Sequence, residues 1–309
     1  MKRFIVLAFA LLTVLFFSSC STPRHVQKTE SDAKNSKSSV SPRNTLIDDN
    51  FSINTTDFFD IETIESHKFI FLRLYDVRYV PIRSASEILN VAIGILGAAP
   101  NGITYDHAAI SYKLSDDFIG LTSNPLKNAI QIEKAQQKDK NSFMNRNDRQ
   151  KSLCTVIAIP CSLLEYENCK TLLDYALKGE KYFVYDIFEI AAMPAANKGN
   201  KEKLKNYQYE DFSSYKGDTQ TLICAIDDPA KVFESYNYVC STFCSFVLYN
   251  SLQSFRNICD QTGAGPQGVT PSELFCLPGA KVLFHSFYAD YDKTLQAFLK
   301  KYPQFSLYL

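Results

Sequence analysis

The first twenty residues constrain this chain more than any other stretch. Met1-Lys2-Arg3 is positively charged, Phe4 to Phe17 is an almost unbroken apolar run, and Ser18-Ser19 precede Cys20. A charged start, a core of roughly 7–15 apolar residues and small residues at the junction describe an export signal. The run falls short of the about 20 residues a membrane-spanning helix needs. Residues 1–19 are therefore expected to be a signal peptide. Residues 20–55 are rich in Ser, Thr, Lys, Asn and Asp, with little apolar content before Phe51. Such a stretch cannot bury enough surface to offset its ordering entropy and reads as a flexible tether. Residues 56–309 carry abundant Ile, Leu, Phe and Tyr, enough for one domain with a sizeable core.

The Phe17–Cys20 junction resembles a bacterial lipobox, with Phe17 standing where leucine is usual. The resemblance implies that Cys20 is acylated and becomes the new N-terminus. The expected location is the cell envelope, lipid-anchored at the outer membrane or cell surface. Basic and acidic residues balance at 33 each. No basic stripe with interleaved aromatics is present, so no nucleic-acid partner is expected.

Eight cysteines follow Cys20: Cys154, Cys161, Cys169, Cys224, Cys240, Cys244, Cys259 and Cys276. In an exported chain an even count suggests disulfides, but eight allow on the order of a hundred pairings. The spacing holds no CxxC pair and histidine is scarce, so neither a metal site nor a cofactor is expected. Two readings stay open: several buried free thiols, or a bridge network beside one reactive cysteine.

Residues 68–77 read as a strand, with β-branched and aromatic side chains in partial alternation. Ser84 to Glu87 forms a capping-box pattern for a helix whose apolar positions are Ile88, Val91, Ala92 and Ile95. Asn101-Gly102 signals a turn. From His107 to Leu114 the chain alternates, with Ala108, Ile110, Tyr112 and Leu114 apolar and His107 on the polar face. Short strands are expected over 118–123 and 129–135, an exposed loop over 136–151, and a strand over 155–159. Helices are expected over 162–177, 182–192 and 238–252, with a polar excursion over 194–220 and a final strand over 281–287. Strands in succession, then helices, then a strand predict an α+β fold with an antiparallel sheet packed against helices. No phosphate-binding glycine loop follows a strand.

Thiol-dependent hydrolysis needs a nucleophile, a base and a polar group to orient the base. Cys240 falls in the first turn of a predicted helix, where the macrodipole and free N–H groups favour an anion. Those N–H groups suit a developing oxyanion as well. By itself, Cys240 also fits a structural or bridged cysteine. His107 on the polar strand face fits a base looking into a cleft or a surface residue. Glu133 lies on the polar face of a neighbouring strand, where solvation alone would explain it.

Together these residues resemble a known family. Tyr105-Asp106-His107-Ala108-Ala109-Ile110 is similar to the "ysHvgI" strand of the permuted NlpC-type cysteine hydrolases, the YiiX-like branch of the papain-like fold. Phe69 to Arg73, followed by Ser86-Glu87-Ile88, resembles that branch's first strand and helix. Tyr238-Val239-Cys240-Ser241-Thr242-Phe243 resembles its "yxCSxFv" nucleophile helix, and Tyr182 to Asp186 the "Y-x-Y" segment before it. Val269 to Leu274 is similar to the "TPsdL" that follows. The resemblance implies a circularly permuted papain-like fold with Cys240 as nucleophile, His107 as base and Glu133 as orienting group. Gln131 is a substitute for Glu133, and His285 is a rival histidine. His67 and His25 fall outside the expected cleft.

The function so implied is a lipid-anchored envelope cysteine peptidase or amidase working through an acyl-enzyme. Its expected substrate is a cell-wall peptide amide, with peptidoglycan as partner. The family's relation to lecithin–retinol acyltransferase-like proteins offers an acyl-lipid amide or ester instead, by hydrolysis or acyl transfer. A catalytically inactive envelope binding module is a third possibility, and a disulfide-stabilised surface lipoprotein a fourth.

Overall fold

Leu153-Cys-Thr-Val-Ile-Ala-Ile-Pro-Cys161 contains no charge, and a strand of that kind is stable only where both its faces are covered. It lies near the centre of the sheet in the computed structural model, buried along its whole length. The structure describes residues 58–76, 105–121, 129–133, 153–181, 183–185, 222–233, 238–262, 266, 269–277 and 279–309. In chain order these form α1 (Ile61–Ser66), β1 (Lys68–Asp76), β2 (Tyr105–Ser111), β3 (Phe118–Leu121), β4 (Ile130–Glu133) and β5 (Leu153–Cys161). They continue as α2 (Leu163–Lys178), α3 (Pro229–Val232), α4 (Cys240–Ser251), α5 (Gln253–Thr262), α6 (Pro271–Leu274), β6 (Lys281–Phe287) and α7 (Tyr291–Lys301). The sheet has six strands in the order β4-β3-β2-β1-β5-β6, every neighbouring pair antiparallel. The α+β expectation holds.

The two faces bury different clusters. Ile70, Leu72, Ala108, Ile110, Ile157 and Ile159 pack with Leu172 and Leu173 of α2, and with Phe243 and Val247 of α4. Phe69, Phe71, Tyr75, Val156 and Phe284 pack on the other face with Tyr288, Tyr291, Leu295, Phe298 and Phe305. This second layer rules out the reading of His107 as a surface residue, since both faces of β2 are buried. Its source is legible in hindsight: Tyr291, Leu295, Phe298 and Leu299 recur at helical spacing and are the buried positions of α7.

Local signals explain the element ends. Ser162 caps α2 in a reciprocal box with Glu165, and Gly179 closes it with φ +73°. Thr270 and Glu273 form the same box at α6. The helix expected over 182–192 does not form at 183–185, where Tyr185 instead makes a parallel bridge with Tyr238. Residues 186–192 lie outside the described residues. So do the signal peptide, the tether, Cys20, His25, the helix expected from Ser84, the Asn101-Gly102 turn, the 136–151 loop and the 194–220 excursion. Among the described residues no helix is long and apolar enough to cross a membrane.

Candidate active site

Cys240 lies in the first turn of α4, as the sequence predicts, and is its first residue, the helix starting two residues later than expected. Val239 precedes it with extended backbone (φ −111°, ψ 177°), and its N–H donates to Thr242 Oγ1 at 2.8 Å, which fixes the first turn. The Cys240 sulfur lies 4.0 Å from the Asp106 carbonyl oxygen, so α4 starts against the β2 backbone one residue from His107. Both side chains are enclosed, Cys240 being 2% exposed and His107 4%.

His107 sits on β2 opposite Tyr75 of β1, and the two rings are tilted at 42° to each other with centroids 5.3 Å apart. Its Nε2 is 2.6 Å from Glu133 Oε1, in a contact fully inside the protein. Burial works to lower the His107 pKa, but the Glu133 charge, then Cys240 by charge and hydrogen bond, and the Glu133 hydrogen bond outweigh it. The net effect is a pKa pushed up to about 10. The ring therefore carries its proton through neutral pH. Cys240, His107 and Glu133 form one interacting set, from three segments distant in sequence.

Glu133 is itself held from two sides. Tyr75 donates its hydroxyl to Oε2 at 3.1 Å, and Arg73 Nη2 donates to the Glu133 carbonyl oxygen at 2.7 Å. Arg73 is fully buried, pairs with Asp116 at 2.6 Å, and has the rings of Phe118, Tyr291, Tyr288 and Tyr75 within 4.5 to 5.5 Å. Neither Arg73 nor Tyr75 was singled out from the sequence. The signal was a single charge within the apolar run Phe69 to Tyr75, because a buried charge demands partners.

The other candidates separate cleanly. Gln131 shares β4 with Glu133, but its buried Nε2 has no hydrogen-bond partner among the described residues. His285 lies on the edge strand β6, hydrogen-bonded to Thr155 Oγ1 at 2.8 Å, and burial lowers its pKa to about 4. His67 caps α1, with Nδ1 2.8 Å from Ser66 Oγ, just before the end of β1 opposite Tyr75. A groove of about 420 Å³ opens there, lined by His67, Leu163, Phe305 and Leu307, and holds none of the site residues.

The eight cysteines after Cys20 all carry free thiols, seven buried and Cys224 exposed. Of the two readings left open by the sequence, the structure carries free thiols. Burial pushes the Cys154 thiol up to about 12 and drives those of Cys161, Cys169, Cys244 and Cys259 upward too. Cys244, one turn below Cys240, belongs to the core. Among the described residues no three His, Cys, Asp or Glu side chains are placed to hold a metal ion. No family model matches this chain, and no curated protein or solved structure matches it either.

Proposed function

We propose that this chain is a cysteine hydrolase of the permuted NlpC-type, papain-like class, cleaving an amide bond with Cys240, His107 and Glu133. The observation that carries the reading is the buried 2.6 Å contact between His107 and Glu133, with Cys240 at a helix start near enough to the same imidazole to help raise its pKa. In the reaction the Cys240 sulfur attacks the carbonyl carbon, and the tetrahedral oxyanion turns toward the first N–H groups of α4. The imidazolium of His107 gives its proton to the leaving amine as the C–N bond breaks, leaving a thioester on Cys240. Water then attacks that thioester, losing a proton to His107, and releases the carboxylic acid, with the sulfur of Cys240 leaving as the thiolate beside the re-formed imidazolium. Glu133 keeps the ring oriented and balances its charge throughout.

The substrate we assign is a peptide amide of the cell wall, in keeping with the export signal and with lipid attachment at Cys20. The test is alkylation. Cys224 is exposed and would compete, so the protein carries Cys224→Ser. Limiting iodoacetamide at near-neutral pH, followed by mass mapping of peptides, should mark Cys240 first. First labelling at Cys244 or Cys276 overturns the assignment.

A further inference from the structure

Glu133 and His107 are not on neighbouring strands. β3 runs between β4 and β2, so those two strands stand about 10 Å apart at the usual strand spacing. The carboxylate must lean across β3 to reach the ring. At the crossing point stands Gly120, paired with Ala109 on one side and Gln131 on the other.

We propose that Gly120 is a positioning residue of the site: the room left by its missing side chain is the lane through which the Glu133 carboxylate reaches His107. This deepens the hydrolase reading and rests on it for the role of Glu133. A Cβ placed on Gly120 would fall 1.9 Å from Glu133 Oε1, 2.5 Å from Cδ and 3.3 Å from Cγ. All three nearest atoms belong to Glu133, and Oε1 is the oxygen that contacts His107. The backbone offers no competing reason for glycine, because the glycines with positive φ among the described residues are Gly179 and Gly279. A glycine inside a strand weakens it and often marks a close approach. Here the approaching group is the carboxylate.

An alanine at this position removes no functional group, and the atoms it strikes are the free end of a flexible side chain. The fold should therefore survive while the carboxylate swings away from the ring. Three variants are compared: Gly120→Ala, Glu133→Gln and the double substitution. The readouts are the His107 titration by NMR, the melting temperature, and the rate of Cys240 alkylation. Gly120→Ala should lower the melting temperature by no more than Glu133→Gln does, and lower the His107 pKa by about 1–3 units, as that substitution does. The double variant should match Glu133→Gln alone, because both changes break one contact. An unchanged His107 titration in Gly120→Ala, or fully additive effects, overturns the proposal. Should Gly120→Ala fail to fold, pairing it with Glu133→Gly decides: recovered folding upholds the shared space, and continued failure refutes it. The titration does not depend on thiol reactivity, so it stands apart from failure of the hydrolase reading, which shows as an inert Cys240.

Discussion

His107 and His285 sit on the same sheet, the first buried and the second half-buried, and their rings behave oppositely. His107 meets a carboxylate and a thiol and is pushed up to about 10, whereas His285 meets a threonine hydroxyl and is pulled down to about 4. Burial lowers both. What separates them is a buried opposite charge, whose attraction grows as water is excluded. Burial alone makes a silent histidine. Burial with Glu133 makes a charged one.

The largest expected effect tests that contrast at the thiol. An ordinary thiol is only a few per cent ionised at pH 7, so losing the cation beside it should slow alkylation about 30-fold. His107→Ala should show that slowing at Cys240 in the Cys224→Ser background. His285→Ala should leave the rate within about twofold of the parent. Equal slowing by both would collapse the distinction.

The next effect is on stability. Between about pH 6.5 and about 4 the unfolded chain takes up a proton at His285 that the folded chain refuses, so acid destabilises. At His107 the folded chain holds a proton the unfolded chain releases. That contribution is complete below about pH 6.5 and is lost as pH rises toward about 10. Urea unfolding at pH 5, 7 and 9 should show both arms. His285→Gln should flatten the acid arm alone, and Glu133→Gln the alkaline arm alone. Glutamine is chosen because it fills much of the same space and keeps hydrogen-bonding groups, so that no large cavity is added to the loss of the titrating group.

The smallest effect belongs to Tyr75→Phe, which removes one hydroxyl from Glu133 Oε2 and leaves the rings in place. We expect a stability loss of about 1 kcal/mol and a His107 pKa lowered by less than Glu133→Gln achieves. An unchanged titration would show that the Oε1 contact alone fixes the carboxylate.

Much of this was legible in the sequence, and the limits have physical causes. The strand over 281–287 matches β6, and the helix expected over 162–177 matches α2, because period-two alternation and helical spacing are local signals. Cys240, His107 and Glu133 were named from a resemblance and the structure brings them together, although spacing alone would have left each unremarkable. Tyr75 was invisible because its role is a contact 58 residues away along the chain. Gly120 was invisible for a deeper reason: its contribution is an absence, which no residue pattern announces. The second helical layer was missed because α7 follows a strand that looked final, and its apolar stripe was left unread.

Arg73 ties this layer to the chemistry. Its guanidinium holds the Glu133 backbone and Asp116 while Tyr288 and Tyr291 lie against it. Tyr291 also donates to the Leu114 carbonyl at 3.1 Å, and the Leu114 N–H donates to Tyr308 at 2.7 Å. Residues 288–309 thus brace the strand that carries Glu133 while supplying none of the reacting groups. Synthesis reaches them only after Cys240 has been made. A half-emerged chain would hold all three reactive side chains and still lack the floor beneath one of them. Competence of the proposed site would arrive only once α7 had been made and packed against Arg73.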